Sequence, residues 1–126
     1  MAAWMRIQMS GPASVIGTIV FPEGLIAGPP ATVYARIEDV SLADAPAPVL
    51  SAVTLEEVAL PPPPGVPVTF ALPIERYDRQ RRYPVRVHVD RDGDGMVSIG
   101  DLVSTSNHPV LTDGAGTAVT VPVSVV

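Results

Sequence analysis

The 126 residues predict an all-β fold, a two-sheet antiparallel β-sandwich, Ig- or transthyretin-like in shape, of about seven to eight strands. Three observations carry that expectation. Proline is abundant at 15 residues, and no long stretch keeps apolar residues at helical spacing free of it. Valine and threonine, which suit a pleated half-buried surface, are frequent while aromatics are scarce. Short runs with a two-residue period recur along the chain, separated by clusters of turn-forming residues.

Met5, Ile7 and Met9 alternate with Arg6 and Gln8 until Ser10-Gly11-Pro12 breaks the pattern, so residues 1–12 read as a separable strand-like arm. Residues 13–126 form one sandwich domain, a length that suits a single core. Its first strand is 13–21, where Gly17 signals a bulge or a close approach. A loop holding Leu25 and Ile26 follows, bracketed by Pro22-Glu23-Gly24 and Gly28-Pro29-Pro30. Residues 31–40 alternate cleanly: Val33, Ala35 and Ile37 should be buried, and Thr32, Tyr34, Arg36 and Glu38 wet.

Residues 41–48 are a turn region. Residues 49–60 read as a strand although Leu55-Glu56-Glu57-Val58 resembles one helical turn, because proline tracts flank the segment. Pro61 to Pro64 make a polyproline II connector, and 66–72 an edge strand beside Pro67 and Pro73. Residues 77–82 form a charged turn. Residues 83–89 put Val85, Val87 and Val89 on one face and Arg86 and His88 on the other. Short extended pieces at 101–104 and 110–112, a turn at 113–116 and a last strand at 117–126 complete the sandwich.

The chain has no cysteine, which excludes disulfides, thiolate nucleophiles and thiolate metal sites. Residues 1–8 show neither a basic leader with an apolar run nor a lipid-acceptor cysteine, so no secretion signal, lipid anchor or membrane span is expected in this sequence. The net charge of −5 is concentrated: residues 90–101 hold four aspartates and one arginine, a net −3.

Those twelve residues, Asp90-Arg91-Asp92-Gly93-Asp94-Gly95-Met96-Val97-Ser98-Ile99-Gly100-Asp101, carry the sharpest chemistry in the chain. Acids fall at loop positions 1, 3, 5 and 12, glycine at 6, an aliphatic at 8 and a hydroxyl at 9. This is the ligand spacing of an EF-hand-type calcium loop. Calcium takes six to eight oxygens at roughly 2.3–2.6 Å. The expected donors are the carboxylates of Asp90, Asp92, Asp94 and Asp101, the Met96 carbonyl and Ser98, with Val97 anchoring the loop to the core. Aspartate at position 12 is shorter than the usual glutamate, which implies weaker affinity or more water in the shell. Flanking helices are missing, so Ca²⁺ is expected as a structural rivet and not as a sensor. A plain Asp-Gly turn accounts for one or two of the aspartates, not for four in register.

Other features read as structural. Arg76, Arg79, Arg81, Arg82 and Arg86 are interleaved with Glu75 and Asp78 and lack a set of stacking aromatics, so a solvated turn is preferred to a nucleic-acid site. His88 and His108 have no neighbouring nucleophile and no zinc spacing; they are structural or surface residues, and no enzyme site can be assembled. The arm, through Trp4, Met5, Ile7 and Met9, is the candidate partner-binding element. It pairs either within its own chain or with the sheet edge of a neighbouring copy.

From Val15 onward the chain resembles the YbaY-like family, grouped with the YscW pilotin lipoproteins of type III secretion. The resemblance covers most of residues 15–112 and is carried by Gly17-Thr18-Ile19, by residues 31–41 (Ala-Thr-Val-Tyr-Ala-Arg-Ile-Glu-Asp-Val-Ser) with Asp44-Ala45, by Val66-Pro67-Val68-Thr69-Phe70, and by Tyr83-Pro84-Val85-Arg86-Val87. It implies a small exported β-sandwich of the cell envelope, non-enzymatic, acting as an accessory or chaperone. The sequence departs from the family pattern in having no lipidated cysteine. Two functions are therefore expected. The first is a calcium-stabilised structural or assembly protein that binds protein partners, including copies of itself as homo-oligomer or polymer through the arm. The second is a monomeric secretion accessory that holds an extended client segment.

Overall fold

The computed structural model describes residues 9–41, 46–112 and 115–126, and in them every regular element is a strand. In chain order these are β1 (Met9–Ser10), β2 (Ala13–Val20), β3 (Gly28–Glu38), β4 (Val49–Leu60), β5 (Val68–Ile74), β6 (Tyr77–Asp78), β7 (Tyr83–Asp90), β8 (Leu102–Val103), β9 (Pro109–Val110), β10 (Ala118–Pro122) and β11 (Ser124–Val125). A three-stranded sheet runs β10-β2-β5; a larger one runs β11-β8-β7-β3-β4, with β9 also on β7; β1 and β6 form a small ribbon. The sandwich predicted from alternation is present.

The alternation decides the core. Val33, Ala35 and Ile37 from β3 and Val85, Val87 and Val89 from β7 meet Val15 and Ile19 from β2 and Phe70, Leu72 and Ile74 from β5, all buried. Gly17 is opposite Phe70 in the β2–β5 register, and a Cβ added to it would clash with the Cζ edge of the Phe70 ring. The close approach expected there is therefore real, and its reason is an aromatic ring laid across the strand.

The Glu56-Glu57 segment that resembled a helical turn is a bulge. Ala31 pairs with Val58 and Val33 with Leu55, so β4 spends an extra residue between them, and Glu57 takes φ 57°. β5 lies at the edge of its sheet, as its flanking prolines require.

Three departures from expectation have physical causes. β10 pairs with β2 in parallel, while the other pairings are antiparallel, because the chain returns to β2 only after circling the larger sheet. The last strand splits at Val123: β10 belongs to the smaller sheet and β11 to the larger, and the Val123 N–H reaches back to the Val20 carbonyl. The charged turn contains β6, which pairs with β1 of the same chain (Met9 with Asp78, Ser10 with Tyr77). Trp4, Met5 and Ile7 lie outside the described residues.

The connections sort the loops to two ends. Asp90, Gly28, Leu60 and Val20 lie at one end, and Glu38, Val49, Ile74 and Tyr83 at the other. An eight-residue strand such as β7 separates them by roughly 25 Å.

Candidate functional site

The acidic loop leaves β7 directly. Asp90, the strand's last residue, is buried, and its carboxylate turns into the loop, where Oδ1 accepts the Gly93 N–H at 2.9 Å and Oδ2 the Gly95 N–H at 2.8 Å. Both glycines sit at φ 76°, in the left-handed region that a β-carbon disfavours. Asp101 closes the loop. Its Oδ1 accepts the Arg91 N–H at 2.9 Å, and its Oδ2 accepts the Ser98 N–H at 3.1 Å and lies 2.8 Å from His88 Nε2. An ionised carboxylate only accepts, so His88 presents Nε2–H to it.

Burial pushes the Asp101 carboxyl up, but the hydrogen bonds from His88, Arg91 and Ser98 outweigh it and hold the group below the usual carboxylate range. His88 is buried because the loop folds over the outer face of β7, where its ring also stacks on Tyr34 at 5.7 Å. Sequence reading placed it away from the valines, correctly, but saw no role for it. The available signal was its position two residues before the first loop aspartate, on the face the loop must cover.

Asp92 and Asp94 are exposed, yet each offers a carboxylate oxygen within 4.8 Å of those of Asp90 and Asp101. Ser98 Oγ joins them, 3.2 Å from Asp94 Oδ2 and 3.3 Å from the Met96 carbonyl oxygen. The four predicted carboxylates thus converge, with Ser98 Oγ and the Met96 carbonyl beside Asp94, and a ring nitrogen of His88 lies within 4.8 Å of carboxylate oxygens of Asp90 and Asp101. The oxygens are of the kind a hard divalent cation takes. Val97 corrects one expectation: it is 59% exposed and does not anchor the loop. The tie to the core runs through buried Asp101 and Leu102 instead, because the Ser98–Asp101 hydrogen bond turns the chain inward only after Val97 has passed.

Beside the loop lies a groove of about 490 Å³ whose walls include Pro22, Leu25, Ile26, Ile99 and Val125. Arg91 joins its two walls, its guanidinium donating to the Ile26 carbonyl at 2.6 Å. Ile99 is 94% and Ile26 79% exposed, large apolar side chains held out from a folded loop. Glu23 and Asp92 line the same groove. This surface is not visible in the sequence: Ile26 and Ile99 lie in loops with five strands, β3 to β7, between them, and share no signal until the fold joins them.

At the opposite end, Glu38 receives Arg36 at 2.7 Å and Arg86 at 3.2 Å, and Asp39 receives Arg81 at 2.9 Å. Burial raises the pKa of both carboxyls, yet the hydrogen bonds and positive charge of these arginines, with Ser41 bonded to Asp39, leave both lowered.

A family model described as a type III secretion system lipoprotein chaperone (YscW) matches residues 10–123. The solved structure of an alternative pilotin from the type II secretion system of Vibrio cholerae is similar at 26% identity, with a TM-score of 0.67, over 90% of this chain and 98% of that one. Among curated proteins, none matches the chain.

Proposed function

This chain belongs to the YscW family of type III secretion system lipoprotein chaperones, and from that premise we propose that it is a non-catalytic secretion accessory of the cell envelope that holds a client segment at its acidic end. The observation that carries this reading is the apolar groove beside the loop. Exposed Ile26 and Ile99 offer a client apolar contact, while Glu23, exposed at the same groove and outside the loop, favours a segment with a basic residue beside its apolar ones. The pilotin likeness supports this accessory reading over self-assembly. Met9, the one arm candidate within the described residues, is already paired in its own chain.

The loop that forms one wall of the groove holds Ca²⁺ in this reading, through Asp90, Asp92, Asp94, the Met96 carbonyl, Ser98 and Asp101. Support comes from the convergence of the four carboxylates and from the loop N–H groups that orient Asp90 and Asp101. Bound calcium supplies positive charge that offsets the mutual repulsion of four carboxylates. Asp90 and Asp101 are positioned by backbone N–H groups, and exposed Asp94 is held by the Met96 N–H at 2.9 Å and the Ser98 hydroxyl at 3.2 Å.

Fluorescence anisotropy with two synthetic amphipathic peptides, one of leucine and lysine and one of leucine and glutamate, tests the groove. The lysine peptide should bind more tightly, and Ile26→Ser with Ile99→Ser should weaken it at least about tenfold. Equal binding of both peptides, or binding untouched by the serine substitutions, would remove the groove from the function.

A further inference from the structure

The connection between β2 and β3, residues 21–27, carries Ile26 and faces the acidic loop across the groove. Phe21 and Leu25 pack against the core, which ties the connection down without fixing where its tip lies. Among the described residues, one hydrogen bond joins this connection to another element: the Arg91 guanidinium donates to the Ile26 carbonyl at 2.6 Å.

Arg91 is itself anchored at its other end. It follows the last residue of β7, and its backbone N–H donates to the buried carboxylate of Asp101 at 2.9 Å. The guanidinium passes close over Gly28, where an added Cβ would lie 2.8 Å from Nη2. A strand end, a guanidinium and a carbonyl therefore link the wall that bears Ile26 to the wall that bears Ile99.

We infer that Arg91 is the latch of the client groove: its bond to the Ile26 carbonyl holds residues 21–27 at a set distance from Ile99 and so decides which apolar segment fits between them. The inference rests on the client reading and adds to it a residue that positions the groove. Arginine suits the task. Its planar fork loses little freedom per hydrogen bond, and a charged donor makes a stronger bond than a neutral one.

Charge alone would give Arg91 the opposite effect. At a groove that favours basic segments, a bare cation repels the client. A latch helps the client bind, because the wall is already in place when the client arrives. The two roles differ in sign.

Fluorescence anisotropy with the leucine–lysine peptide reads that sign, in chelator so that no metal enters the loop. Arg91→Ala should weaken binding about fivefold, although it removes a positive charge from the path of a basic peptide. Gly28→Ala tests the same latch with every charge kept. Its methyl group displaces the guanidinium from the carbonyl, and alanine fits that backbone because Gly28 lies outside the left-handed region. Binding should fall in the same direction.

Backbone ¹⁵N order parameters give a readout free of peptide. In both variants Gly24 to Ala27 should fall from the rigid range, about 0.85, toward about 0.6, with β7 unchanged. Arg91→Ala binding as tightly as the parent, or more tightly, would overturn the latch. So would Gly28→Ala binding like the parent, which would make Arg91 a direct client contact, and so would order parameters unmoved in both variants. The failures are separable: a parent that binds neither peptide removes the client reading, and the order parameters then still decide whether Arg91 holds the wall.

Discussion

The two ends of the sandwich both concentrate charge, but they settle it by different means. At the loop end, Asp90 and Asp101 are buried with backbone N–H groups and one imidazole as partners, and no arginine or lysine ion-pairs with them among the described residues. At the arginine end, Glu38 and Asp39 remain partly in contact with solvent and are met by guanidinium groups. Backbone dipoles orient a carboxylate without cancelling its charge, whereas an arginine does both. At one end, then, the carboxylates are oriented mainly by dipoles, and at the other they are met by the chain's own guanidinium charge.

The hardest blow to this contrast is Asp90→Ala. It removes the buried carboxylate that accepts the Gly93 and Gly95 N–H groups and shapes the loop, and in chelator it should cost about 2 kcal/mol in urea unfolding. A change below about 1 kcal/mol would mean that the loop is held elsewhere.

Calcium sharpens the contrast. The parent should gain about 2.7 kcal/mol when Ca²⁺ reaches a hundredfold of its dissociation constant, read as a rise in melting temperature. Asp92→Asn with Asp94→Asn should lose that rise and keep the chelated stability within about 0.5 kcal/mol, because both side chains are exposed. A full calcium response in the double variant would take those two oxygens out of the ligand set.

At the other end, Glu38→Gln should cost about 1 kcal/mol near neutral pH, since an amide retains a hydrogen bond but loses the charge between two arginines. The sign with pH follows from the lowered carboxyls. Glu38 and Asp39 contribute stability that is fully present above the ordinary carboxylate range, about pH 4, and is lost as pH falls through their lower folded values. Glu38→Gln with Asp39→Asn should flatten that acid limb of the stability curve. An unaltered acid limb would show that other carboxylates set it. Arg81→Ala, the smallest change, replaces an exposed partner of Asp39 and should leave the melting temperature near the parent's.

The two ends also differ in how far they could be read in advance. The convergence of the loop's carboxylates was legible because it is local: four aspartates within twelve residues, with glycines where φ is positive. Alternation made β2, β3 and β7 equally plain, and it placed Val33, Ala35, Ile37, Val85, Val87 and Val89 inside. The bond from His88 to Asp101 was not legible, because it depends on the loop folding back over a strand face that alternation assigns to solvent. Nor was the groove, which joins residues 22–26 to Ile99 and Val125. The pairing of arginines with Glu38 and Asp39 across β3 and β7 depends on strand register, which a single sequence leaves open.

The parallel pairing of β10 with β2 has a kinetic consequence. Residues 16–20 find their neighbours at 118–122, so one side of β2 stays unsatisfied until nearly all of the chain is available. Such distant closure slows folding, because loop entropy is spent before the contacts return it. A polypeptide built this way reaches its finished state late, after its last strands have been made and have found a partner from the start of the chain.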